Sequence, residues 1–172
     1  MTALLVPFGG HTPAVDETAF VAPNATLVGR VFLGPESSVF YGAVLRGDTD
    51  QINLGARSNL QDNVVVHCDV GIPTTIGTGV SVGHGAVVHG CTVEDDCLIG
   101  MGATVMNGAV IGAGSLVAGG AVVLEGTVIP PRSLVAGVPA KVRREISDGE
   151  LDAIKANANH YVELSRAHAA LE

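Results

Sequence analysis

At 172 residues the chain fits one main domain with an appendage, and a charged fraction of 15% with an aromatic fraction of 3% excludes a globular core built around large rings. A net charge of −8 argues against a nucleic-acid partner, which would want a basic stripe. Gly, Pro or a charge interrupts every apolar run before about 18 residues, so the mean hydropathy of +0.42 reflects Val and Ala and excludes a membrane-spanning helix.

The amino-terminal segment, residues 1–20, reads as a lead-in that covers the first coil. It lacks a basic region followed by a long apolar stretch, so export is not expected. Three cysteines, an odd number without framework spacing, suit a reducing compartment, and the expected location is cytoplasmic.

From Val21 to Val123 an aliphatic residue recurs at, or within a short insertion of, a six-residue period: Val21, Leu27, Leu33, Val39, Leu45, Leu54, Leu60, Val66, Ile76, Val82, Val88, Val93, Ile99, Val105, Ile111, Val117 and Val123. Four residues after most of them sits a small side chain, as in Ala25, Ser37, Ala43, Ser58, Ala86, Cys97, Ala103, Ala109, Ser115 and Ala121. This pattern predicts a β-solenoid over residues 21–136, each short strand offering one side chain to a shared interior before turning. Glycines at the second place of many repeats, such as Gly55, Gly77, Gly100 and Gly112, are assigned to tight turning and not to phosphate binding.

The period slips in three places: nine residues separate Leu45 from Leu54, ten separate Val66 from Ile76, and five separate Val88 from Val93. Extra residues are expected to bulge outward as loops, where function often resides. With three strands to a coil, side one carries Val21, Val39, Leu60, Val82, Ile99 and Val117. Side two carries Leu27, Leu45, Val66, Val88, Val105 and Val123, and side three the rest.

Residues 137–172 form an exit turn and a helix. Ser147-Asp148-Gly149-Glu150 offers a capping box. Leu151, Ile154, Ala158, Tyr161, His168 and Leu171 follow as an apolar stripe, expected to lie along the outside of the prism or against a neighbouring chain.

Because strand side chains alternate, the residue after each inward anchor faces out. On side two these are Val28, Arg46, His67, His89 and Met106, which stacks His67 on His89 across adjacent coils. Two imidazoles so placed can converge on one ion at about 2.0–2.1 Å. His84 lies two past Val82 on side one, round a corner, so its ring diverges from the other two. A metal site built from His67, His84 and His89 therefore calls for a second subunit in a head-to-tail ring. The same register sets Arg46 against Asp62 across that interface. Three neutral imidazoles on zinc leave a fourth position for water, whose pKa falls to about 7. Gln61 and Asp48 are candidates to orient the resulting hydroxide or the ligand rings. His11, His160 and His168 have no place in the lattice and are assigned to surface or helix. Cys97 is assigned to packing, and Cys68 and Cys91 to packing or lining the site.

These residues resemble the γ-class carbonic anhydrases, on Arg46-Gly47-Asp48, Gln61-Asp62-Asn63, His67 and the run Gly83-His84-Gly85-Ala86-Val87-Val88-His89-Gly90-Cys91. The resemblance implies an all-β, left-handed parallel β-helix of hexapeptide repeats with a C-terminal α-helix, assembled as a homotrimer. It implies Zn2+, or Fe2+ or Co2+, held by His67 and His89 of one chain and His84 of its neighbour, with Gln61, Asp48, Arg46 and Asp62 completing the site. The implied reaction is hydration of carbon dioxide to bicarbonate by metal-bound hydroxide. The family archetype carries glutamates for proton transfer where this chain reads Thr49 and Cys68-Asp69-Val70, leaving Asp50 or Asp69 as substitutes. Relatives without those glutamates include the phenylacetate-pathway protein PaaY and the carnitine-operon protein CaiE.

Three other functions compete. The same hydroxide could hydrolyse a small thioester or ester. A hexapeptide acyltransferase would share the coil, the trimer and an ending like Gly137-Val138-Pro139-Ala140-Lys141 but use one histidine as general base without metal. A non-catalytic trimeric binding protein would keep the metal site without turnover.

Overall fold

A computed structural model of the chain describes residues 3–171 as a parallel β-solenoid followed by one helix. The aliphatic lattice sorts onto three faces. On the first, Val21, Val39, Leu60, Val82, Ile99, Val117 and Val135 are successive register partners. On the second the ladder is Leu27, Leu45, Val66, Val88, Val105 and Val123. On the third it is Leu33, Leu54, Ile76, Val93, Ile111 and Ile129. Ile129 and Val135 thus continue the lattice beyond Val123, the last anchor named from the sequence. All the anchors but Val21, which is half-buried, lie in the interior, and each fully buried aliphatic side chain is worth about 1.5–3 kcal/mol. The small residues four places on fill the corners.

The lead-in extends the stack. Leu4–Val6 and Ala14–Val15 pair in parallel with successive halves of Thr26–Leu33, covering the first coil. At the other end Lys141–Glu145 returns antiparallel to Ser133–Ala136 and closes the first face.

Turning is not the task of the glycines to which the sequence assigned it. Gly55 and Gly100 have ordinary backbone angles, and the left-handed residues stand two places later, at Arg57 (φ 60°) and Gly102 (φ 66°). A Cβ on Gly55 would collide with the Gly77 carbonyl of the next coil, so close stacking excludes a side chain there.

The slips also differ from simple loops. The nine-residue interval stays extended, because Val44–Leu54 is one strand that rounds the corner between the second and third faces. Its register against Thr26–Leu33 jumps from Gly29↔Gly47 to Val31↔Ile52, leaving residues 48–51 as a bulge. The ten-residue interval does project as a loop, closed by the Asp69↔Ile72 bridge. These two features put Asp48 and Asp69 on either side of His67.

Asp148–Ala169 forms the helix, begun by the complete Ser147–Glu150 capping box. It packs on the first face, against Phe20–Val21, Ser38–Val39, Asn59–Leu60 and Ser81–Val82. The buried stripe is Ile154, Ala158, Val162 and Ser165. Leu151, Tyr161 and His168 are only half-buried, and Leu171 lies beyond the helix and is 81% exposed, so the sequence-based stripe was rotated toward its aromatic edge. Polar ties fasten the helix: Arg57 donates to Asn159 Oδ1 at 2.6 Å, Lys155 pairs with Asp96 at 3.3 Å, and Arg166 pairs with Glu36. Among the described residues no helix is long and apolar enough to cross a membrane.

Candidate metal centre

His67 ends the strand Val65–His67 and His89 ends Val87–His89, and the two are direct register partners on the outer surface of the second face. Their rings lie 4.9 Å apart, inclined at 62°, with His67 Nδ1 2.9 Å from His89 Nε2. The outer nitrogen of each ring is engaged elsewhere. His67 Nε2 meets Asp48 Oδ1 at 3.0 Å, and His89 Nδ1 meets Asn107 Oδ1 at 2.6 Å.

Both outer contacts fix a tautomer. Asp48 is an ionised carboxylate and can only accept, so His67 Nε2 carries the proton. Asn107 gives its Nδ2 hydrogen to Asp69 Oδ2 at 2.7 Å, which turns its carbonyl toward His89, so His89 Nδ1 carries the proton there. Two neutral rings with protons on their outer nitrogens present two lone pairs to each other across 2.9 Å. That arrangement is repulsive unless a positive charge lies between them, either a metal ion or one added proton shared as an N–H···N bond. Two nitrogens bound tetrahedrally at zinc distances stand about 3.3–3.4 Å apart, so a small separation of the rings admits the ion.

Asp48 is secured by its surroundings. Burial alone would raise its pKa, but hydrogen bonds from Arg46 and His67, the Arg46 charge and a bond from Thr49 together outweigh it and hold the carboxyl at about 2. Arg46 NH1 lies 2.7 Å from Asp48 Oδ2.

His84 stands apart on the first face, half-exposed, with Nδ1 3.0 Å from Asp62 Oδ2. Asp62 Oδ1 in turn accepts from the Tyr41 amide at 3.2 Å. Gln61, Gly83, His84, Met101, Asn157 and Tyr161 line one cleft there. One chain therefore assembles Arg46, Asp48, His67 and His89 in one place and Gln61, Asp62 and His84 in another. Arg46 and Asp62 each have a different companion within the chain.

Among the described residues, the donor group present within a single chain is His67, Asp69 and His89, whose ligating atoms lie within 4.8 Å of one another. Sequence reasoning gave Asp69 no role as a ligand and passed over Asn107 entirely. The trace of Asn107 is Gly90: a Cβ there would collide with Asn107 Oδ1, so the His-Gly pair on one coil makes room for the amide of the next. The cysteines are buried, and desolvation pushes Cys91 and Cys97 to about 12 and Cys68 upward, so their thiols fill space. His168 is not a bare helix residue, since its Nδ1 lies 2.8 Å from the Tyr41 hydroxyl.

Fold and site together define a hexapeptide-repeat β-solenoid with a pair of stacked imidazoles, able to bind a metal, on one outer face. Residues 90–125 match the family described as bacterial transferase hexapeptide (six repeats). The chain is similar to a probable carbonic anhydrase of Methanocaldococcus jannaschii, with 60% identity over 88% of this chain and 95% of that protein. It is 54% identical to gamma carbonic anhydrase 3, mitochondrial, of Arabidopsis thaliana over 92% of its own length, and spans 64% of that longer relative. Among solved structures, a putative acetyltransferase from Bacillus cereus superposes with a TM-score of 0.98 at 34% identity, each chain being covered completely. The chain belongs to the γ-class carbonic anhydrase family, a branch of the hexapeptide-repeat proteins.

Proposed function

We propose that this protein is a metal-dependent carbonic anhydrase that converts carbon dioxide to bicarbonate at the subunit interfaces of a homotrimer. The observation that carries this reading is the pair of inner nitrogens, His67 Nδ1 and His89 Nε2, with protons held on the far side of both rings. A ring needed only as a general base for acyl transfer has no use for a second ring aimed at it.

His67 and His89 of one chain hold the ion and the partner subunit's His84 completes the set, with Zn2+ the best match to imidazole donors and Fe2+ or Co2+ also compatible. When bound, zinc supplies a water of pKa about 7, a nucleophile for a small electrophilic carbon at neutral pH. Asp48 and Asn107 keep the rings oriented and their inner nitrogens basic. Arg46 holds Asp48 and is placed to meet the partner subunit's Asp62. Gln61, at the cleft beside His84, orients the O–H of the reacting species. Without the archetypal glutamates, proton release falls to Asp69 and Asp50, of which Asp69 is tied to His89 through Asn107.

Metal analysis joined to stopped-flow hydration tests the reading. It expects about one ion per chain and hydration that disappears with His89→Ala. Release of free thiol from acyl-CoA by metal-loaded protein that does not hydrate carbon dioxide would transfer the site to thioester hydrolysis.

A further inference from the structure

The outward column on the first face changes character at the level of His84. Leu134, Leu116 and Leu98 are apolar, the next three in register are Ser81, Asn59 and Ser38, and Phe20 ends the column. All three polar residues are buried, Ser81 completely and Asn59 and Ser38 to 1% exposure, beneath a helix that elsewhere packs Ile154, Ala158 and Val162. Desolvating amides and hydroxyls costs stability that leucines would not, so the fold alone gives no reason for the change.

The hydrogen bonds of Ser81 and Asn59 form one line. Asn157 of the helix donates Nδ2 to Ser81 Oγ at 2.9 Å, and Asn59 donates Nδ2 to the same oxygen at 2.9 Å. Asn59 Oδ1 accepts from Gln61 Nε2 at 3.2 Å. With an N–H on each lone pair, the Ser81 hydroxyl hydrogen points away from both amides, so Asn59 turns its carbonyl to Gln61. Gln61 must then direct its amino group inward, which leaves Oε1 at the cleft that His84 and Tyr161 also line.

We propose that Asn157 is a positioning residue: through Ser81 and Asn59 it sets the direction of the Gln61 amide, so that the cleft beside His84 offers a hydrogen-bond acceptor and not a donor. The site thereby favours a ligand carrying O–H at that point, such as bicarbonate, over an anion of the same shape without a proton, such as nitrate. This rests on the reading of His84 as part of the active site. Removing Asn157 frees one lone pair of Ser81, whose hydroxyl can then donate to Asn59 Oδ1, and the Gln61 amide populates both directions.

Asn157→Ala suits the experiment because alanine favours the helix. In the metal-loaded trimer it is expected to lower the preference for bicarbonate over nitrate as inhibitors by roughly 3- to 10-fold, the worth of one hydrogen bond, with metal content unchanged. In a Gln61→Ala background the same substitution should change the preference no further. An equal effect in both backgrounds, or none in the parent, would overturn the inference. The side-chain amide resonances of Gln61, identified by their loss in Gln61→Ala, give a second readout in metal-free protein: they should shift in Asn157→Ala, and unmoved resonances would count against the coupling. This measurement needs neither metal nor turnover, so it separates failure of the inference from failure of the catalytic reading.

Discussion

Asn107 links His89 to Asp69: one amide accepts from the ring at 2.6 Å and donates to the carboxylate at 2.7 Å, joining the histidine proposed as a metal ligand to the loop beside it. Its orientation determines which nitrogen of His89 is free for an ion. Asn107→Leu should therefore weaken zinc retention by about 10- to 100-fold, measured by competition with a chelator, while Asn107→Asp keeps an acceptor and retains the metal. Equal affinity in the leucine variant and the parent would remove Asn107 from the site.

Gly90 should behave as part of the same device. It has φ 54°, and a Cβ there would collide with Asn107 Oδ1. Gly90→Ala is expected to lower metal affinity in the same direction as Asn107→Leu. The two together should cost less than the sum of their separate effects, since both break one contact. Full additivity in the chelator titration would show that Gly90 acts through the backbone alone.

The fold was legible because its signal repeats. Each of the seventeen anchors found its register partner on the assigned face, since an inward position on one coil forces the same choice on the next. The stacking of His67 on His89 followed from that register. Asn107 did not, because it lies in a corner where an asparagine reads as an ordinary turn residue and its function depends on side-chain reach. The helix stripe was misplaced for a related reason: Tyr161 and His168 carry aromatic rings that look inward-facing, yet they flank the seam while Val162 and Ser165 occupy it. Gly55 and Gly77 were misread because a one-dimensional pattern cannot distinguish a residue that turns the chain from one that lets two coils touch.

The attachment of the helix should be acid-sensitive. Hydrogen bonds from Arg144 and from the amide and hydroxyl of Ser147 hold the Glu150 carboxyl at about 2. A depressed folded-state pKa contributes stability in full above the unfolded value near 4.3, and that contribution is lost as pH falls toward about 2. Glu150→Gln should flatten this part of the acid-side decline in urea midpoints, and Ser147→Ala should cost about 1 kcal/mol at neutral pH. A Glu150→Gln profile parallel to that of the parent would exclude the carboxylate as its source.

Arg46 is half-exposed at 49% and bonded to Asp48 within its own chain, leaving the rest of its guanidinium available to a neighbour. Arg46→Ala is expected to shift the proposed trimer toward smaller species on dilution, followed by analytical ultracentrifugation. A dilution series identical to that of the parent would confine Arg46 to holding Asp48.

Mixed trimers test most directly whether the metal centre is shared between subunits. His84→Ala and His89→Ala chains should each fail to retain zinc alone. Unfolded together in equal amounts and reassembled, they should recover about one quarter of the parental zinc and hydration rate, because in a head-to-tail ring one interface in four joins an intact His89 to an intact His84 on the next chain. No recovery from correctly assembled mixed trimers, or zinc retained by His84→Ala alone, would contradict a site built from two polypeptides.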